Sequence, residues 1–217
     1  MALSEKEQQE INTLVGRFEA DTGIEAVAAV IDKADAYPEI PWKAYAVGSA
    51  IGALVTVVFP LLLADWNIAS TLAFHTMAIL GAGAVLAAAA TFTPSLARLF
   101  LDRVRAQTEA RQYALGVFVE REVFRTTQRR AVLVLVSRFE RVAVIIADSG
   151  LAQYVPPPEL ERIAIAMRGV LVSQGPAAAF DAGFDALRAA LARAGFDRAA
   201  PSGNELDDTV FPGESAA

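Results

Sequence analysis

Apolar and polar positions follow several different rhythms along this chain. Over residues 4–22 the rhythm is helical: Ile11, Leu14, Val15 and Phe18 form one stripe, Ser4 and Glu7 read as a capping box, and Thr22-Gly23 is a stop. Residues 25–32 (EAVAAVID) make a short, nearly continuous apolar run, the pattern of a strand buried on both faces. Residues 35–41 (DAYPEIP) then break the chain. Two long stretches follow, 44–64 and 68–92, with no Asp, Glu, Lys or Arg in either. Each supplies the roughly 20 apolar helical residues that a bilayer core requires. Asp65-Trp66-Asn67 links them as a polar turn, and Pro60 and Pro94 fall near span ends, where backbone breaks are tolerated. The first span follows a helix and a strand, unlike a signal peptide.

Beyond the spans the pattern predicts a helix over 106–126 with Tyr113, Val117, Phe118 and Val123 available for packing. Two apolar runs, 131–137 (AVLVLVS) and 141–148 (RVAVIIAD), are separated by so short a polar turn that they form a β-hairpin. A helix opens at Pro156 to Pro158, with Leu160, Ile163, Ala164, Met167, Val170 and Leu171 in register. A last helix over 176–194 buries Phe180, Phe184, Leu187 and Leu191, and the tail 199–217 reads as flexible. One strand before the spans cannot make a sheet alone. It is expected to join the later two, parallel to the first of them. The predicted fold class is therefore α/β, a small sheet flanked by helices on both faces and interrupted by a two-helix transmembrane hairpin. Residues 1–41 and 98–198 are the halves of that domain.

Charge orients the hairpin. Arg98, Arg103, Arg105 and Arg111 crowd the exit of the second span and Lys43 flanks the first, while the turn between them has no positive residue. The positive-inside rule then predicts cytoplasmic termini and an integral membrane protein, of the cell inner membrane. Gly48, Ser49, Gly52 and Ala53 in the first span and Gly81 and Gly83 in the second predict close packing of the hairpin on itself, with homo-oligomer formation as a further use of these small faces. The lone histidine, His75, reads as neutral and locally hydrogen-bonded within its span. Composition narrows the functions. There is no cysteine, which removes disulfides, thiolate zinc sites and cysteine nucleophiles, and a net charge of −6 offers no field for nucleic acid. A Ser-His-Asp triad lacks its base outside the spans, and no G-x-x-x-x-G-K loop is present.

The stretch RRAVLVLVSRFERVAVIIADSGL resembles the central hairpin of the TPM domain family, which is named in part for phosphatases. The resembling positions are Phe118, Thr126, Ser137, Glu140, Arg141, Asp148 and Gly150. The opening Leu3-Ser4, Thr22-Gly23-x-Glu25 and Asp35-x-Tyr37 looks like the start of the same family. Asn204-Glu205-Leu206 is similar to the end of its membrane-inserted, two-span subgroup. Ala131 stands where the family often has glycine, and Ala34 where serine often precedes the aspartate. The resemblance implies an α/β sandwich, with phosphatase-like activity or calcium binding in some members.

Strand polarity sorts the candidate chemistry. Glu25, Arg129, Arg130 and Asp148 fall at one end of the sheet; Asp32, Asp35, Ser137 and Glu140 fall at the other, roughly 23 Å away for a seven-residue strand. Asp148 with Glu25 suits Ca2+ or Mg2+, which prefer oxygen ligands; the alternative is that Asp148 caps its loop or pairs with Arg130. Ser137, Glu140 and Arg141 read either as a nucleophile or cation site, or as turn hydrogen bonds with a salt bridge from Glu140 to Arg141 or Arg138. No cofactor is required. Two functions stay open: a membrane-anchored, divalent-cation-binding interaction or accessory module whose partners are the lipid bilayer and other membrane proteins, or a metal-assisted phosphatase of low activity.

Overall fold

The structure, a computed structural model, describes residues 3–62, 68–197 and 211–213. The Asp65-Trp66-Asn67 turn and most of the tail, Asn204-Glu205-Leu206 included, lie outside the described residues. The chain divides into two compact units, 1–35 with 103–217 and, inserted between them, 36–102.

In the first unit, helix α1 (Glu5–Thr22) begins at the Ser4–Glu7 capping box and ends at Gly23, whose φ of 69° is the left-handed cap conformation. Strand β1 (Glu25–Ile31) pairs in parallel with β2 (Ala131–Ser137), which pairs antiparallel with β3 (Val142–Ala147). Both pairings match the sequence expectation. A short β4 (Phe211–Gly213) adds in parallel to β1 and gives the order β3-β2-β1-β4. These three residues lie within the stretch 199–217 read as flexible, and they satisfy part of the backbone edge that β1 would otherwise leave open.

Every residue of β1 and β2 is buried, because helices cover both sheet faces. On one face, Ala26, Ala28, Val30 and Val134 pack with α1, α6 (Pro157–Gln174) and α7 (Pro176–Arg193) around Phe18, Phe180 and Phe184. On the other, Val27, Ala29, Leu133 and Leu135 meet Ala110, Ala114 and Val117 of α5 (Arg103–Glu120). Helix α5 is shorter than the predicted 106–126. Glu122, at φ 49°, turns the chain into a 3-10 turn at Val123–Arg125 and so drives Val123 into the core.

The second unit holds α2 (Glu39–Leu62), α3 (Ile68–Phe92) and the short α4 (Pro94–Ala97). Helix α2 starts before Pro41, within the stretch read as a break; proline is accommodated in a first turn, where its missing N–H has no partner to lose. Two of these helices are long and apolar enough to cross a membrane: Glu39–Val58 at mean hydropathy 1.3 and Leu72–Phe92 at 1.8, the latter window only 6% buried. Val47, Ile51, Leu54, Leu72, Met77 and Val85 are exposed on them. The helices meet through their small residues. A Cβ added to Gly48 would lie 2.5 Å from Ala82 O, and one at Gly52 2.9 Å from Ala78 O.

Candidate functional site

Each end of the sheet gathers polar side chains, and the two ends are built differently. Where β1 and β2 begin, register sets Glu25 opposite Ala131, while Asp148 N–H donates to Ala131 O at 2.9 Å. Glu25, Ala131 and Asp148 therefore stand level across three strands on the α5 face, the two acidic residues separated by a methyl group. Strand spacing puts their Cα atoms about 10 Å apart. Both are buried, at 7% and 4% exposure.

Asp148 is held by its loop. Its Oδ1 accepts from Ser149 N at 2.6 Å and lies 3.1 Å from Arg129 Nη2. Its Oδ2 is buried without a hydrogen-bond partner among the described residues. Arg129 is fixed in turn: its φ is 54°, its Nη1 donates to Phe124 O at 2.9 Å, and the guanidinium lies 5.6 Å from the Phe124 ring centroid. Arg130 points elsewhere, its guanidinium 5.2 Å from the Phe196 ring centroid and its N–H donating to Thr126 Oγ1 at 3.1 Å. Of the two alternatives to a cation site, the loop cap is what Asp148 makes, while its ion pair comes from Arg129 and not from Arg130. Gly150 closes the loop, its N–H donating to Arg129 O at 3.0 Å; a Cβ there would lie 2.6 Å from that same oxygen.

At the opposite end Glu140 is a tether. Its Oε1 accepts from Ala34 N at 2.9 Å and its Oε2 from the Ser137 hydroxyl, all in buried surroundings. The expected salt bridge from Glu140 is replaced by this backbone contact, which ties the β2–β3 turn to the chain leaving β1. Arg138 pairs with Asp32 at 3.3 Å, and Arg141, exposed at φ 54°, closes the turn. Asp35 pairs with Arg105 at 2.7 Å. That contact joins the point where the chain leaves the first unit to the point where it returns.

The structure brings Glu25, Arg129 and Asp148 together and keeps Ser137, Glu140, Asp32 and Asp35 away from them. At this end the Asp148 carboxylate meets the Arg129 guanidinium, with Glu25 level with Asp148 one strand beyond Ala131. Among the described residues no group of three or more His, Asp or Glu side chains is placed to hold a metal. The donor set is thin for Ca2+, which takes six to eight oxygens, and an ion here would keep several waters. The buried Oδ2 of Asp148 is the atom with coordination capacity to spare.

Comparison with protein-family models and with curated proteins gives no match. Among solved structures, the NMR structure of the BA42 protein from the psychrophilic bacterium Bizionia argentinensis matches at a TM-score of 0.55 and 13% identity, over 98% of this chain and 97% of that one. At that identity the likeness is one of fold.

Proposed function

We propose that this chain is an integral membrane protein of the TPM domain family, acting as a membrane-anchored, divalent-cation-binding interaction or accessory module. Its α2–α3 hairpin crosses the cell inner membrane with both termini in the cytoplasm. The observation that carries the reading is the insertion itself: two long helices with apolar side chains facing outward interrupt an otherwise complete α/β domain. An apolar surface of that extent marks a membrane or partner contact rather than a solvated face. The cation reading rests on Asp148 Oδ2, buried and unpaired, with Glu25 level with it across Ala131. Phosphatase activity is the lesser reading, favoured by Arg129 beside Asp148, since a guanidinium next to a carboxylate-held cation suits a phosphate group.

Thermal unfolding of the full chain in lipid nanodiscs, with Ca2+, Mg2+ or chelator, tests the cation site. Ligand at about a hundred times its Kd is expected to stabilise by about 2.7 kcal/mol, and Asp148→Asn to abolish the effect. No shift with either ion would refute cation binding. Metal-dependent turnover of p-nitrophenyl phosphate, lost in Asp148→Asn, would replace the module by the phosphatase.

A further inference from the structure

Strand β3 ends the sheet on its side. Because Asp148 N–H donates to Ala131 O, alternation directs the backbone of Val142, Val144 and Ile146 toward β2, and that of Ala143, Ile145 and Ala147 away from it. Among the described residues, no hydrogen bond reaches the N–H or C=O groups of those three. They open onto a groove of about 610 Å³ that runs along β3 between α5 and α6. One wall carries Arg111 of α5; the other carries Glu161, Ile165 and Arg168 of α6, and Ile165 is 60% exposed, so the charged lining is two arginines against one glutamate. Neither arginine has an ion-pair partner among the described residues.

We propose that this groove binds an extended, acidic segment of a partner protein, which adds as a further strand to β3. An incoming strand answers the open backbone groups of Ala143, Ile145 and Ala147. Its side chains alternate between the two walls, so acidic residues on either face meet a guanidinium, Arg111 on one side and Arg168 on the other. A basic segment would be repelled by both arginines and would find a partner in Glu161 alone. A small anion such as phosphate would satisfy the arginines alone and leave the strand edge unpaired. The proposal rests on the interaction-module reading and names its partner class.

The test uses the full chain in lipid nanodiscs and a short peptide of the repeat Val-Val-Glu-Glu, which places glutamate on both faces of a strand. Binding is expected, with slowed amide exchange at Ala143, Ile145 and Ala147. The counterpart with lysine for glutamate is expected to bind at least about tenfold more weakly, and the Arg111→Glu/Arg168→Glu variant to reverse that order. Methylating alternate peptide nitrogens removes the strand-forming donors and is expected to abolish binding to the unaltered chain, a control independent of how the variant folds. The proposal is overturned if the glutamate peptide does not bind, if those amides stay unprotected, if the methylated peptide binds equally, or if inorganic phosphate alone gives the same protection. A Ca2+-dependent rise in unfolding temperature, read in the same samples, reports on the Glu25–Asp148 end separately. Its absence sinks the cation reading without touching the peptide result, and a failed peptide leaves the cation reading standing.

Discussion

Two glutamates show what individual side chains do here. Glu140 has both carboxylate oxygens engaged, one with Ala34 N–H and one with the Ser137 hydroxyl. Glu140→Ala strands two buried donors and is expected to cost about 3 kcal/mol, whereas Glu140→Gln keeps an acceptor for Ala34 and is expected to lose less than half of that. Chemical denaturation of the purified variants distinguishes the two. Glu7 works at the start of α1, where hydrogen bonding from the Ser4 side chain and then from the Ser4 backbone holds its carboxyl below the ordinary 4.5. A carboxylate with a depressed folded pKa contributes stability above its unfolded value and loses it as pH falls through the folded one. Ser4→Ala is therefore expected to cost about 1 kcal/mol near neutrality, and the gap to the unaltered chain to narrow below pH 4.5, as read by thermal unfolding across that range. The capping box was legible in the sequence, being a local pattern. The partner of Asp148 was not: Arg129 and Arg130 are adjacent and identical in type, and it is the tertiary placement of their side chains, Arg129 against Asp148 and Arg130 over Phe196, that tells them apart.

At the scale of elements, the roughly 3.6-residue period of one apolar face carried the helix assignments in the α/β domain, whereas the strands and the two spans showed as near-continuous apolar runs whose lengths told them apart. The β1–β2–β3 order followed from loop length and crossover rules. Three features left little trace. The end of α5 at Glu120 is hidden because Val117, Phe118 and Val123 continue an apolar pattern through the break. Strand β4, a Phe-Pro-Gly triplet, lacks the length of a strand signal. The groove beside β3 depends on which strand lies at the edge, a tertiary property. The α2–α3 contact, by contrast, was readable from small residues, and it makes a matched pair of variants informative. Gly48→Ala would drive a Cβ against Ala82 O, while a Cβ at Gly81 meets nothing within 4 Å. The first is expected to destabilise the helix pair by roughly 1–3 kcal/mol despite its gain in helix propensity, and Gly81→Ala to be neutral or mildly stabilising. Thermal unfolding in detergent compares them directly.

The whole molecule is an α/β domain with a helix pair inserted in its chain. Asp35 and Arg105 hold the chain's departure and return points together on the domain side. The two ends of the sheet divide the polar residues: Ser137, Glu140, Asp32 and Asp35 are consumed by internal contacts that fix loops, whereas Asp148 retains a buried oxygen with no hydrogen-bond partner among the described residues. A chain without cysteine gives labelling experiments a silent background. The most direct test of the central claim, membrane anchoring by the hairpin, is single-cysteine labelling of intact cells with a membrane-impermeant maleimide. Trp66→Cys, between the spans, is expected to be labelled from outside; Ser173→Cys, at the end of α6, is expected to react only after the membrane is broken. Labelling of both or of neither in intact cells, or recovery of the chain in the soluble fraction once membranes are removed, would contradict the account.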